Sequence, residues 1–360
     1  MMEKQKERYK SIFNVMEFGA CADGSKDDTQ AFQNALDAAR TVEGKVVVPA
    51  GIYRISTIQV YEGVSLYGDA AWGGTDGAGG TRILFDGPPD AKCCIDISDA
   101  YGCIVHGLNI EGGKKGDNVC GIYLDRKGTG KDVEDTSHIE HCRVANFTAD
   151  GLHYNGIWCD SVRHCLFEDN ARFGIFVSGW DIFFFDNVLR HNGQGGLCCL
   201  DNAFNSITAQ NNRFEENNGP GLQFKGGNMA TFMGNSFFDN CGPGVEIGDR
   251  GQVTNSFSLL GNTFRGNGRT TTGAMSCQIY VDFTHNFLLS GNTFLPGEDG
   301  FAPSYCVTHK RLWATQIQNN TMTGAMHTAA FYDLGGKNGY VTIADNVGTL
   351  PGALPLSFDA

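Results

Sequence analysis

From Ile139 to Phe264 the apolar positions return one or two at a time, set apart by asparagine, glycine and charge. Asn187, Asn212, Asn235 and Asn262 stand two residues before Leu189, Phe214, Phe237 and Phe264. Cys142 and Cys165 take the asparagine position ahead of Val144 and Phe167, and successive anchors lie 22 to 27 residues apart. Apolar residues also precede anchors by three, at Ile139, Val162, Phe184, Phe232 and Leu259. Nine residues after each of the first five anchors a glycine opens a second apolar strand, at Gly151, Gly174, Gly196, Gly221 and Gly244. A further asparagine recurs five residues after the anchor, at Asn170, Asn192, Asn217, Asn240 and Asn267. A period in the low twenties with fixed internal offsets marks a solenoid, whose repeats bury their apolar faces only by stacking.

The strand chemistry selects the kind of solenoid. Leucine-rich repeats share the period but need leucine at most ladder positions, whereas these rungs carry Phe, Val, Ile and Asn. One or two inward residues per strand suit the short strands of an all-β, single-stranded right-handed parallel β-helix, with rungs about 4.8 Å apart. Asparagines buried at a bend are expected to bond both the backbone and the asparagine one coil away. After Phe264 the repeat continues at longer steps through Asn292, Asn320 and Asn346. The pattern predicts a single domain over 1–360: an N-terminal cap and first coil at 14–56, coils over 57–350, and a tail at 351–360.

The cap has its own signature. Phe18-Gly19-Ala20, Asp23-Gly24 and Asp27-Asp28-Thr29 precede a helix, capped by Asp28 or Thr29, that keeps Phe32, Ala35, Leu36 and Ala39 on one face. Val46–Val48, Pro49-Ala50-Gly51 and Ile52–Ile55 then read as two strands joined by a turn. This stretch resembles the N-terminal signature of the pectate-lyase-like β-helix superfamily, and the coil repeat extends the resemblance over most of the chain. The resemblance implies a carbohydrate-directed function, as lyase, hydrolase, epimerase or phage tailspike. The blocks that mark galacturonan hydrolases and the aspartate-proline-histidine block of alginate-type epimerases are absent, so no residue takes a role by motif. Asp27 and Asp28 are expected to serve the turn and cap.

Net charge is −13, which disfavours nucleic acid and gives no basic face for a membrane. It also makes a polyanionic substrate less comfortable. The 13 cysteines are odd in number, and Cys142, Cys165 and Cys199 fall on inward positions. They are expected to be small buried hydrophobes held reduced, which points to the cytoplasm, and no leader is read in the charged start. The partner is expected to be an oligo- or polysaccharide, bound by a monomer or homotrimer.

Candidate chemistry follows from the strand register. Counting outward from each glycine, the first and third positions are apolar and face in, so the second faces out. That gives Tyr123, His153, Phe176, Cys198, Gln223, Glu246 and Tyr280 along one face, with Asp125, Asn155, Lys225 and Asp282 at the fourth position. Aromatics, amides and charges in parallel columns suit a sugar-binding groove, to which Asp282 belongs and where Arg250 is expected to help hold an anionic group. Asp201, Lys225, Glu246 and Asp249 form the tightest charged cluster. Asp201 and Asp249, two rungs apart, have roughly the spacing of an inverting glycosidase pair. This favours a glycoside hydrolase or transglycosylase on a neutral sugar. The alternatives are a lyase with Lys225 as base, calcium entering only in that case, and a non-catalytic glycan-binding fibre. His106, His141, His164 and Asp186 make a second column, but rungs about 5 Å apart are too far for ligands sharing one ion, so no metal is assigned.

Overall fold

The computed structural model describes residues 11–69, 80–126, 133–200, 205–248 and 253–348. It divides into two compact units, Met1–Ala171 and Arg172–Ala360. Both are parallel β-solenoids in which every coil supplies up to three short strands. The polar segments 70–79, 127–132 and 201–204 and the tail at 351–360 lie outside the described residues.

In the first unit the helix runs Thr29–Arg40 and buries Ala31, Phe32, Ala35, Leu36 and Ala39. Phe32 meets Tyr53 edge to face, with ring centroids 5.2 Å apart. Asp27 Oδ1 accepts the Thr29 N–H at 2.9 Å and Asp28 Oδ1 accepts the Cys21 N–H at 2.7 Å, so the acidic pair serves the turn. The glycine-led column comprises Ile58–Tyr61, Cys93–Asp99, Cys120–Asp125 and the start of Leu152–Arg163. A middle column follows through Lys45–Val48, Ser65–Gly68, Ile104–His106 and His138–Glu140, and a third through Gly51–Ile55, Thr81–Phe85, Asn109–Glu111 and Arg143–Ala145. Ile104–His106 and Asn109–Glu111 are separated at Gly107, which sits at φ 66°.

In the second unit the third column stacks Val188–Arg190, Arg213–Glu215, Ser236–Phe238, Thr263–Arg265 and Thr293–Leu295. Phe214, Phe237, Phe264 and Phe294 form a continuous inner stack, with neighbouring centroids 4.7 to 5.0 Å apart. The anchor asparagines form the expected ladder. Asn187 Nδ2 donates to Asn212 Oδ1, Asn212 to Asn235, Asn235 to Asn262 and Asn262 to Asn292, each at 3.0 Å. The second asparagine series repeats this from Asn192 to Asn267, where Gln278 Oε1 takes over as acceptor.

The glycine column has a steric cause. A Cβ on Gly196 would lie 2.5 Å from the Gly221 carbonyl oxygen, and one on Gly221 would lie 2.7 Å from that of Gly244. The interior corner admits no side chain there. The column before the ladder has a conformational cause. His141, His164, Asp186, Asn211 and Asn319 all adopt φ between 51° and 57°, and Gly234, Gly261 and Gly291 fill the same place. Asn, Asp and His tolerate this left-handed region best after glycine, which accounts for their recurrence without a ligand. All 13 cysteines are free thiols, and burial pushes Cys94, Cys165 and Cys199 upward in pKa. Among the described residues no helix is long and apolar enough to cross a membrane.

Candidate functional site

The shared register read from the sequence holds, but not every member is exposed: Cys198 is fully buried and Tyr123 nearly so. In the first unit Gln59, Asp96, Tyr123 and His153 stand in one column. In the second unit Phe176, Cys198, Gln223, Glu246 and Tyr280 do the same. These columns differ in what surrounds them.

The Tyr123 and His153 rings lie parallel, 3° apart in tilt with centroids 5.0 Å apart. Lys92, exposed one rung earlier, places Nζ 3.8 Å from the Tyr123 ring centroid. The Tyr123 hydroxyl donates to Asp125 Oδ2 at 3.1 Å, and Asn155 Nδ2 donates to Asp125 Oδ1 at 3.0 Å. Burial first, and Asp125 second, push the Tyr123 phenol well above its ordinary pKa, so it stays a proton donor at neutral pH. His153 Nδ1 lies 2.8 Å from Oδ2 of Asp150, a residue with no solvent exposure. A carboxylate on Nδ1 fixes the neutral imidazole as the tautomer with its lone pair on Nε2, the arrangement of a general base. Asp150 immediately precedes the corner glycine Gly151, so the bend itself points the carboxylate at the histidine on the next strand.

Cys120 joins Asp150 and His153 in a group whose ligand atoms lie within 4.8 Å of one another. Sulfur and imidazole do not suit calcium, which takes oxygen ligands, so the calcium expected of a lyase does not fit this place and no step is drawn through it.

In the second unit Glu246 Oε2 lies 3.5 Å from Gln223 Nε2, and Tyr280 is raised in pKa by burial, then by Asp282 and Glu246. Glu246 is flanked in its column by an amide and a phenol. Lys225 is half-buried at the fourth position. Asp282 accepts both Nε and Nη2 of Arg311 at 2.7 Å, which engages its two oxygens in one ion pair. Asp201, Asp249 and Arg250 lie outside the described residues.

The histidine column of the first unit is a stack rather than a chelate. Lys45 sits over Tyr67, Tyr67 on His106, His106 against His141, and His141 on His164 at 4.9 Å and 6°. His106 pairs in register with Glu140, not His141, because Gly107 occupies the turn position in its coil. The His141 and His164 rings, parallel one rung apart, do not aim two nitrogens at one ion, whereas His106 is tilted 58° from His141.

Sequence reasoning missed Asp150 and Lys92. Asp150 carried a signal, three residues before His153 at the corner, but lay outside the counted strand. The strand after Lys92 begins with Cys93 and Cys94 rather than glycine, so it never entered the count.

Stacked parallel strands, an asparagine ladder and outward polar columns define a parallel β-helix. The chain belongs to the right-handed β-helix family, whose model, described as "right handed beta helix region", matches residues 93–257 and 199–349. A second model, "rhamnogalacturonase A/epimerase, pectate lyase-like", matches residues 12–89. Mannuronan C5-epimerase AlgE1 of Azotobacter vinelandii is 32% identical over 203 residues, 52% of this chain and 14% of that protein. Alginate lyase 7 of the same organism is 31% identical over 201 residues, 51% of this chain and 23% of that protein. The chain therefore spans less than a quarter of these curated relatives. Among solved structures, the A-module of mannuronan C-5 epimerase AlgE6 of Azotobacter vinelandii covers 94% of this chain and 100% of its own, with TM-score 0.67 and 20% identity. A DFA-IIIase from Arthrobacter chlorophenolicus covers 93% of both chains with TM-score 0.67 and 12% identity.

Proposed function

We propose that this protein is a polysaccharide lyase acting on a uronate-containing polymer, with His153 as general base and Tyr123 as general acid. The carrying observation is the pairing of buried Asp150 with His153 Nδ1 beside a phenol kept protonated. A uronate residue has a weakly acidic proton at C5, next to its carboxylate. His153 Nε2 takes that proton, and the electron pair forms the C4–C5 double bond. The C4–O4 bond breaks, and Tyr123 gives its proton to the departing O4. Charge grows on the substrate carboxylate as the proton leaves, and Lys92 is the cation near enough to offset it.

Epimerisation uses the same first step but returns a proton to the opposite face of C5. Tyr123 and His153 approach from one column with parallel rings, which favours elimination over inversion. The names of the curated relatives support a mannuronan-type substrate. The carboxylate-pair reading rests on Asp201 and Asp249 together with Glu246, and among the described residues Glu246 has no carboxylate beside it in its column.

The test is incubation with polymannuronate, polyguluronate and polygalacturonate, following ultraviolet absorbance of the unsaturated product. Growth of absorbance that His153→Gln abolishes supports the reading. Reducing ends without absorbance would instead identify a hydrolase, and a change in uronate composition without chain cleavage would identify an epimerase.

A further inference from the structure

The middle column of the second unit carries a feature the proposed reaction does not use. His285, Trp313 and Gly339 occupy one register position on successive strands. The Trp313 indole lies over Gly339, where a Cβ would meet its Cζ3 at 2.3 Å, so the missing side chain seats the ring on the backbone. Tyr340 stands against it edge-on, with centroids 5.2 Å apart and planes at 84°. Trp313 is 43% exposed and Tyr340 80% exposed. Phe283 and Arg311 close the other side of a cavity of about 340 Å³, which Lys337 also lines.

A single exposed aromatic needs no explanation, but contiguous ones around a concavity do. The charges here are distinctive in a chain of net charge −13. Arg311 is locked by two bonds to Asp282 and lies 4.6 Å over the Phe283 ring, so it is a fixed wall. Lys337 is exposed and makes no ion pair among the described residues. A seated indole, the Phe283 and His285 rings and the Lys337 ammonium line one cavity and match one kind of ligand. The C–H face of a pyranose stacks on the indole while a carboxylate on the same ring meets the lysine.

We propose that this cavity is a second saccharide-binding site, specific for a carboxylate-bearing sugar residue. It deepens the lyase reading, since it would take the same polymer class at residues the proposed reaction does not use, and a second point of attachment raises affinity.

The experiment uses the His153→Gln protein, so that ligand is not consumed, titrated with an oligomannuronate and with the neutral manno-oligosaccharide of equal length. Tryptophan fluorescence and calorimetry report binding. The oligomannuronate is expected to perturb the fluorescence and bind more weakly as salt rises. Trp313→Ala should weaken it ~tenfold or more. Lys337→Glu, a surface change that leaves the core intact, should weaken the uronate ligand and leave the neutral one unchanged. In the otherwise wild-type chain, Trp313→Ala should preserve kcat on short substrates and raise KM on long polymer. Equal binding of the neutral oligosaccharide, or affinity unmoved by both substitutions, would overturn the site. If the wild-type chain forms no unsaturated product the lyase assignment fails, and if His153→Gln still forms it the base assignment fails; in either case this binding result stands on its own.

Discussion

The side-chain oxygen of Asn235 accepts two bonds from Asn212, one from its backbone N–H at 2.9 Å and one from Nδ2 at 3.0 Å. Asn212 Nδ2 also donates to the carbonyl of Phe184 at 2.9 Å, so one amide serves two coils inside a buried bend. Removing it leaves the Phe184 carbonyl without this donor and the Asn187 N–H without its acceptor. Asn212→Leu should therefore lower unfolding free energy by about 1–3 kcal/mol. Urea denaturation provides the check, and an unchanged midpoint would argue against the ladder as a source of stability.

Gly196 tests a different constraint. Its Cβ position lies 2.5 Å from the Gly221 carbonyl oxygen and 3.0 Å from the Phe214 ring, with backbone on one side and core on the other. Gly196→Ala is expected to cost about 1–3 kcal/mol through overpacking, whereas Gly261→Ala, with open space around it but φ at 60°, should cost about 1 kcal/mol. A ranking reversed in thermal denaturation would mean that the corner relaxes easily.

The coil, the ladder and the outward column were legible because each depends on a residue type at a fixed offset. Cys198, Gln223 and Glu246 share an outward column for the same reason that Leu197, Leu222 and Val245 share an inward one, and alternation alone fixes both. The histidine column was visible but its meaning was not. Sequence shows His141, His164 and Asp186 recurring, while only backbone dihedrals show that the turn asks for residues tolerant of positive φ. The Asp150–His153 pair was hidden because it joins a corner residue to a strand residue, and corner orientation is not periodic. Asp201 and Asp249 lie outside the described residues.

Asp160 gives a pH signature. It is fully buried near Tyr154, Cys103, Asp135 and Arg126, and burial raises its carboxyl well above the ordinary range. A carboxyl with a raised folded-state pKa supports the fold while both states hold the proton, below about pH 4. That support is lost as pH rises through the folded-state value, because the unfolded chain ionises first. Asp160→Asn, which can still accept the Ser161 N–H, should be more stable than the parent at pH 7 and close to it in acid. Urea midpoints across this range decide the matter, and a gap that does not widen with pH would place the strain elsewhere.

The last prediction separates the roles at the proposed site. In the proposed mechanism Asp150 acts as a positioning residue, orienting His153 through Nδ1 at 2.8 Å. Asp150→Asn offers Nδ1 either an amide nitrogen or a weaker oxygen, and the favoured tautomer is no longer enforced. Its kcat should fall on the order of 10²-fold with KM nearly unchanged, because binding does not depend on the tautomer. Tyr123→Phe keeps the stacked ring and the seat for Lys92 but removes the proton bound for O4. That loss should be of similar size on polymer and much smaller on a synthetic uronide whose leaving group needs no protonation. His153→Gln should lose activity on both substrates, since C5 deprotonation precedes either departure. Lys92→Ala should lower kcat and raise KM together, because the ammonium meets the carboxylate before and during charge development. If Tyr123→Phe and His153→Gln respond identically to the improved leaving group, the acid and base assignments do not hold. If Asp150→Asn changes KM alone, the aspartate contacts the sugar and is not the orienting partner.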